Sequence, residues 1–315
     1  MKRSWIALGA VIAVIVVAIV VLSRQPKPAV VAPVPEPSPK VGTETPSEPA
    51  KEPAKEPEPK SPPEPKEKAK EPEPPKKAEP VDSDAVLRAA DAALAAGKPV
   101  EAHKVLSDAI LRDPKAAKAA DMRTRLTKLS EEIFFSDKVF APYSIAYTVV
   151  AGDALVKIAG KHKTTIELLR RINGLKGDNL RIGQRLKVIP GGFDVAVDKS
   201  DFRLTVTKDG AWVREFLVGL GKNGTTPVGE FVAGHKLKEP VYFGDGTPIP
   251  YGDKTKNPLG TRWITIQAEY GIHGTWEPDS MGKEGSKGCV RMVNQDVEWL
   301  FDLMVPGSSR IVIRP

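Results

Sequence analysis

Cys289 and His273 are the residue types that could form an activated nucleophile, a thiolate that attacks and an imidazole that takes its proton. They fall in one stretch, Ile272 to Met292, and the cysteine is the only one in the chain. Gly274 follows the histidine and Gly288 precedes the cysteine, so the backbone leaves both groups approachable. The connection between the two glycines is too polar for a core strand and could frame a cleft. If 287–291 is extended, Lys287, Cys289 and Arg291 point to one face. A cysteine between two cations is expected to have a lowered pKa, and thiolate is the attacking form. Residue types alone leave a second reading open, because most free cysteines behave as small buried hydrophobes. An internal disulfide is excluded by the single cysteine. Zinc would find only His235, His273 and Cys289 among its preferred ligands in this region. His235 is the alternative base, without glycine neighbours.

The elements that must hold these residues are strands. From Gly192 onward the apolar pattern has period two: Phe193 to Val197, then Phe202, Leu204 and Val206, then Trp212 to Val218 after the turn Lys208-Asp209-Gly210. Trp263 to Ile266 and Arg310 to Ile313 are further strands, and one helix runs from about Asn294 to Met304. Gly221 to Pro227 is an exposed loop. Residues 192–315 therefore read as a mainly antiparallel β domain.

Three segments in it, Thr-Thr-Pro-Val-Gly-Glu-Phe (225–231), Tyr-Gly-Ile-His-Gly-Thr (270–275) and Ser-Lys-Gly-Cys-Val-Arg-Met (286–292), resemble an L,D-transpeptidase catalytic domain of the YkuD type. The resemblance implies a fold of that type, with Cys289 as nucleophile and His273 as base. The Gly274 carbonyl would orient the imidazole, and N–H groups around Gly288 and Cys289 would stabilise the oxyanion. Arg291, Lys287, Ser286 and Trp276 are the implied substrate contacts, with Arg291 suited to a carboxylate. Lys287 stands where many members have histidine, although Bacillus-type members also show Ser-Lys-Gly-Cys. The implied reaction releases a terminal D-amino acid from a peptidoglycan stem peptide and passes the acyl group to an amine. It needs no metal or organic cofactor, and carbapenems would inactivate the thiol. Two alternatives stay open: an L,D-carboxypeptidase or D-amino-acid exchange enzyme on the same site, or a non-catalytic peptidoglycan-binding scaffold.

Upstream, residues 145–190 read as strand, two helices and strand, with Thr164-x-x-Glu167 as a capping box and Asn173-Gly174 closing the second helix. Tyr-Thr-Val-x-x-Gly-Asp and Leu-Arg-Ile-Gly-Gln-Arg-Leu-x-Val-x-Pro resemble a LysM module of βααβ form. The resemblance implies N-acetylglucosamine-containing glycan as partner, held near Gly152-Asp153 and Asn173 to Arg181, with Gly152, Asp153, Asn173 and Leu175 as the named contacts. Residues 82–138 carry three helical periodicities, the first capped by Asp84 and the second starting at Pro99. The first pair resembles one tetratricopeptide unit. One unit is fewer than a solenoid needs, so a spacer or a hairpin that docks a protein partner is the simpler reading. His103 within it is structural.

Residues 25–81 are built from Pro, Glu, Lys and Ala and contain no aromatic residue, Ile or Leu before Pro80. Such a segment buries too little apolar surface to offset ordering and is expected to be a disordered tether. Residues 1–24 hold an unbroken apolar run, Trp5 to Leu22, after a basic start. At about 1.5 Å per residue it matches the roughly 30 Å bilayer core, and no small-x-small cleavage site follows. An uncleaved transmembrane signal anchor in the inner membrane is expected, with the later domains in the periplasm or cell wall. The net charge of +7 is spread without a basic stripe interleaved with aromatics, which argues against nucleic acid.

Overall fold

A computed structural model describes residues 80–244 and 246–315. The expected anchor and all but the last residues of the expected tether lie outside the described residues. Among the described residues, no helix is long and apolar enough to cross a membrane.

The first elements are helices α1 (Ser83–Ala95), α2 (Pro99–Arg112) and α3 (Ala119–Ser130), the last continuing into a wider π-helical turn, Glu131–Phe135. The cap of α1 is Asp82 rather than Asp84: its carboxylate accepts from the N–H groups of Asp84 at 3.1 Å and Ala85 at 3.0 Å. Each helix buries one stripe, for example Leu106, Ala109 and Ile110 on α2 and Met122, Leu126 and Leu129 on α3.

The LysM-like segment is strand β1 (Ile145–Thr148), helices α4 (Leu155–His162) and α5 (Ile166–Ile172), and strand β2 (Arg185–Val188). The two strands pair antiparallel, Ile145 opposite Val188. The cap of α5 is Thr165, one residue beyond the expected Thr164; its hydroxyl accepts from the Leu168 N–H at 3.0 Å. Val149, Leu155, Ile158, Leu169, Leu186 and Val188 form a small core of their own.

The β domain has thirteen-strand numbering completed by β3 (Asp194–Asp198), β4 (Arg203–Lys208), β5 (Ala211–Leu217), β6 (Leu220–Gly221), β7 (Gly229–Val232), β8 (Lys236–Lys238), β9 (Arg262–Gln267), β10 (Tyr270–His273), β11 (Glu284–Ser286), β12 (Val290–Arg291) and β13 (Arg310–Arg314), with helix α6 (Asn294–Leu303) between the last two. A five-stranded sheet has the order β5-β4-β3-β13-β7, and a four-stranded sheet the order β12-β10-β9-β8. Pairing is mainly antiparallel, as the tight turns predict. Three pairs are parallel instead: β13 with β3, β10 with β12 and β11 with β6. Each joins strands separated by a long connection, a relation that no local turn signal announces.

The segments share one apolar core. Leu106, Met122, Phe134, Leu168, Ile172, Phe193, Ile264 and Leu300 belong to a single buried cluster. The helical layer is therefore not a free hairpin: its apolar stripe is already covered by β5. The Ser107 hydroxyl accepts from the Trp212 N–H at 2.8 Å, and Arg123 pairs with Glu215 at 3.2 Å. Lys187, 2% exposed on β2, donates through Nζ to the carbonyls of Ile133 at 2.7 Å and Ser136 at 2.9 Å. It thereby caps the end of the π-helical turn from the LysM side. On the other side Thr165 donates to the Asp302 carbonyl, Arg171 pairs with the Asp302 carboxylate, and Lys238 pairs with Glu167 at 3.0 Å.

Candidate active site

Alternation along the four-stranded sheet sorts its side chains between core and cleft. Ile264, Ile272 and Val290 point inward and are fully buried beneath α6. Their neighbours point the other way. In the register His273 stands opposite Trp263 of β9 and Arg291 of β12, and Gly271 stands opposite Thr265. Cys289, one residue ahead of β12, continues that face beside Gly271. The candidate base on β10 and the nucleophile, one residue before β12, are thus diagonal neighbours, with Gly271 in the corner between them.

The imidazole is held firmly. Its Nδ1 lies 2.6 Å from the Gly274 carbonyl, which can only accept, so Nδ1 carries the proton and Nε2 is left as the acceptor. Trp263 stacks on the ring, 5.8 Å between centroids at 16°. His273 is 3% exposed. Burial lowers its pKa to about 4, helped by Arg291 and opposed by the carbonyls of Gly274 and Leu259. The ring is neutral at neutral pH.

The thiol departs from expectation. Burial raises the Cys289 pKa, opposed only by the Gly271 N–H directed at the sulfur. The two cations do not lower it, because the extended geometry assumed for 287–291 is absent. The strand begins at Val290, and Gly288 bends the chain at φ 134°. Lys287 is exposed. Gly288 is required there twice over, since a Cβ would also lie 2.2 Å from the Tyr270 ring. The thiol donates to the Glu269 carbonyl at 3.7 Å. Thiol and imidazole form a neutral resting pair.

Ser286 shapes the bend. Its hydroxyl donates to the Cys289 carbonyl at 2.7 Å and accepts from the Gly288 N–H at 3.2 Å. That N–H is therefore engaged within the loop. Arg291 is half-buried between Gly219 and Gly285, where a Cβ would lie 2.9 and 2.4 Å from its guanidinium. Its Nε is buried without a hydrogen-bond partner, and burial lowers its pKa against the opposing field of Glu277. Trp276 donates from Nε1 to the Asn257 carbonyl at 3.1 Å and lies under Lys254, 4.7 Å from its ring. Its indole fastens the 239–258 loop to the segment after the base. His235 is exposed and lies beyond Thr265 rather than beside the thiol.

On the LysM side the expected glycan contacts are mostly committed elsewhere. The Asp153 carboxylate accepts from the Tyr147 hydroxyl and the Val150 N–H, both at 2.9 Å. The Asn173 amide ties Leu169 to Lys187 through three hydrogen bonds. Leu175 packs against the small core, and Gly152 is an exposed turn residue. An open concavity of about 540 Å³ is lined by Asn179 and Arg181, within the expected 173–181 stretch, and by Ile182 and Gln184 just beyond it. Ile182, an apolar residue 75% exposed beside polar ones, is the sequence signal that could have marked it.

Comparison with known proteins agrees with this partition. Residues 193–313 match the profile of the YkuD family, described as the L,D-transpeptidase catalytic domain, and residues 147–188 match the LysM domain. The chain is 34% identical to the Bacillus licheniformis protein named for L,D-transpeptidase YkuD, over 54% of this chain and 99% of that one. It is 32% identical to the Bacillus subtilis protein of the same name, over 54% of this chain and 98% of that one. The solved catalytic domain of the E. faecium L,D-transpeptidase is 26% identical over 39% of this chain and 96% of that one, with a TM-score of 0.33.

Proposed function

The chain belongs to the YkuD family of L,D-transpeptidases, and on that premise we propose that Cys289 is its nucleophile and His273 the base that activates it. The observation that supports this reading is the single sheet face carrying both groups, with the Nδ1 proton committed to Gly274 and Nε2 unprotonated. His273 Nε2 takes the thiol proton as the sulfur attacks the carbonyl preceding a terminal D-amino acid of a stem peptide. The tetrahedral intermediate collapses, the imidazolium returns the proton to the leaving amine, and an acyl-enzyme remains. An amine of a second stem peptide then takes the acyl group, giving a cross-link. Oxyanion stabilisation falls to the Cys289 N–H, because Ser286 engages that of Gly288. Arg291, whose side chain is half-buried, suits a substrate carboxylate.

In this reading the LysM concavity holds the glycan, and the N-terminal segment anchors the enzyme at the outer face of the cytoplasmic membrane. Neutral resting partners fit acyl transfer: the charge separates only when substrate has displaced water, where preorganised donors count most.

Intact-protein mass spectrometry of the full chain with a carbapenem, beside Cys289→Ala and His273→Ala, tests the assignment. One covalent adduct is expected, absent in the Cys289 variant and formed far more slowly in the His273 variant. An adduct that persists in Cys289→Ala, or none in the folded wild type, would overturn it. Assay with and without an amine acceptor separates transfer from hydrolysis.

A further inference from the structure

Trp263 forms a wall of the cleft that neither the family assignment nor the cysteine–histidine pair explains. It is half-exposed, yet three features fix it. It stands opposite His273 in the β9–β10 register and stacks on the imidazole at 5.8 Å and 16°. Its benzo edge occupies the space above Gly271, where a Cβ would lie 2.5 Å from Cζ2. Its Nε1 donates to the Thr265 hydroxyl at 2.9 Å. A large aromatic held by a hydrogen bond at one edge and a glycine gap at the other has little freedom to tilt. Its face is turned to the ring of the base.

We propose that Trp263 is a positioning residue for the base: its indole clamps one face of the His273 imidazole, keeps water from it, and holds Nε2 turned toward Cys289. This rests on the nucleophile and base assigned above. The clamp complements the Gly274 carbonyl. One hydrogen bond fixes the tautomer but leaves rotation about that bond, and a stacked plane removes it. The dry face also accounts for the neutral ring, since burial is the largest cause of its depressed pKa.

Among the charged groups near the ring, Arg291 adds a smaller lowering of the same sign, and the others lie away from it. Arg291 and Cys289 approach the imidazole from the β12 side. His235 reaches only the Thr265 hydroxyl, at 3.2 Å. Arg262 of β9 lies 3.9 Å from Glu298 of α6, and Lys236 of β8 donates to the α6 carbonyls of Phe301 and Met304 on the opposite face.

The test titrates the histidines of the full chain labelled with carbon-13 at Cε1, with the His273 resonance assigned by its loss in His273→Gln. Acylation by a carbapenem is followed over the same pH range. The wild-type His273 midpoint is expected near 4. In Trp263→Leu, water reaches the ring, and the midpoint moves up by about one unit or more toward the ordinary value of about 6.5. The acid limb of acylation moves with it. Trp263→Phe keeps both near wild type. A folded Trp263→Leu with an unmoved midpoint overturns the proposal, as does acylation slowed equally at every pH. Should Trp263→Leu fail to fold, Thr265→Val frees the indole edge, together with the exposed His235 ring; a smaller rise at His273 supports the clamp and no rise overturns it. If the wild type forms no adduct, the nucleophile reading fails while the titration still decides Trp263.

Discussion

Ser286 shows how the local geometry of this site is made. Two hydrogen bonds from one hydroxyl hold a bend whose central glycine no other residue could replace. Ser286→Ala removes both and leaves the Cys289 carbonyl and Gly288 N–H to water. At about 1 kcal/mol per bond the fold survives, but the nucleophile loses its fixed position. We expect the melting temperature to fall by a few degrees and the acylation rate by about tenfold or more; a variant acylating at the wild-type rate would show that the bend holds itself. The sequence motif singled out the cysteine and histidine as candidates, and the structure places them on one sheet face. The electrostatics were not legible. Lys287 and Arg291 flank the cysteine in sequence, but the bend turns Lys287 to solvent, and burial raises the thiol pKa with neither cation opposing it. Sign, in this case, was set by backbone direction rather than by neighbouring charge.

At the scale of elements, the period-two pattern located β3, β4, β5, β9 and β13 because each has one face in the core. It was silent on the two-residue strands β6 and β12, which are too short to show a period. The helical stripes were equally clear, but a stripe states only that something covers it. His103 on α2 has its Nε2 3.0 Å from the Ser130 hydroxyl of α3 and an edge contact with Phe134. Burial lowers its pKa to about 4, as it does for His273. Both imidazoles take up protons on unfolding once the pH is below about 6.5, and in the folded state only near 4. Their contribution to stability is thus complete above about 6.5 and is lost as pH falls to about 4. The slope is about 1.4 kcal/mol per pH unit for each histidine in that window. Urea unfolding of His103→Gln at pH 7, 5.5 and 4.5 should show the acid-side loss reduced by roughly 3 kcal/mol at most. Parallel loss in wild type and variant would mean that His103 is protonated in the folded chain.

At the scale of the whole molecule, the helical layer packs as part of the shared core. It covers the β5 side of the five-stranded sheet, where Trp212 is 2% and Val213 1% exposed. It also supplies the carbonyls that receive the buried Lys187. Removing residues 82–143 would uncover aromatic side chains, each contributing about 3–5 kcal/mol when buried. It would also strip Lys187 of the Ile133 and Ser136 carbonyls that receive it. A folded domain has only about 5–15 kcal/mol in reserve. The prediction is that a chain starting at 144 gives no cooperative thermal transition and binds a hydrophobic dye, whereas 80–315 melts in one transition with the LysM segment included. A soluble, carbapenem-reactive 144–315 would refute it. The consequence for function follows from the same contacts. Lys187 fastens the LysM segment to the helical layer, and Thr165, Glu167 and Arg171 fasten it to the β domain, through buried and part-buried groups. A glycan seated beside Arg181 and Gln184 would then meet Cys289 at one fixed offset.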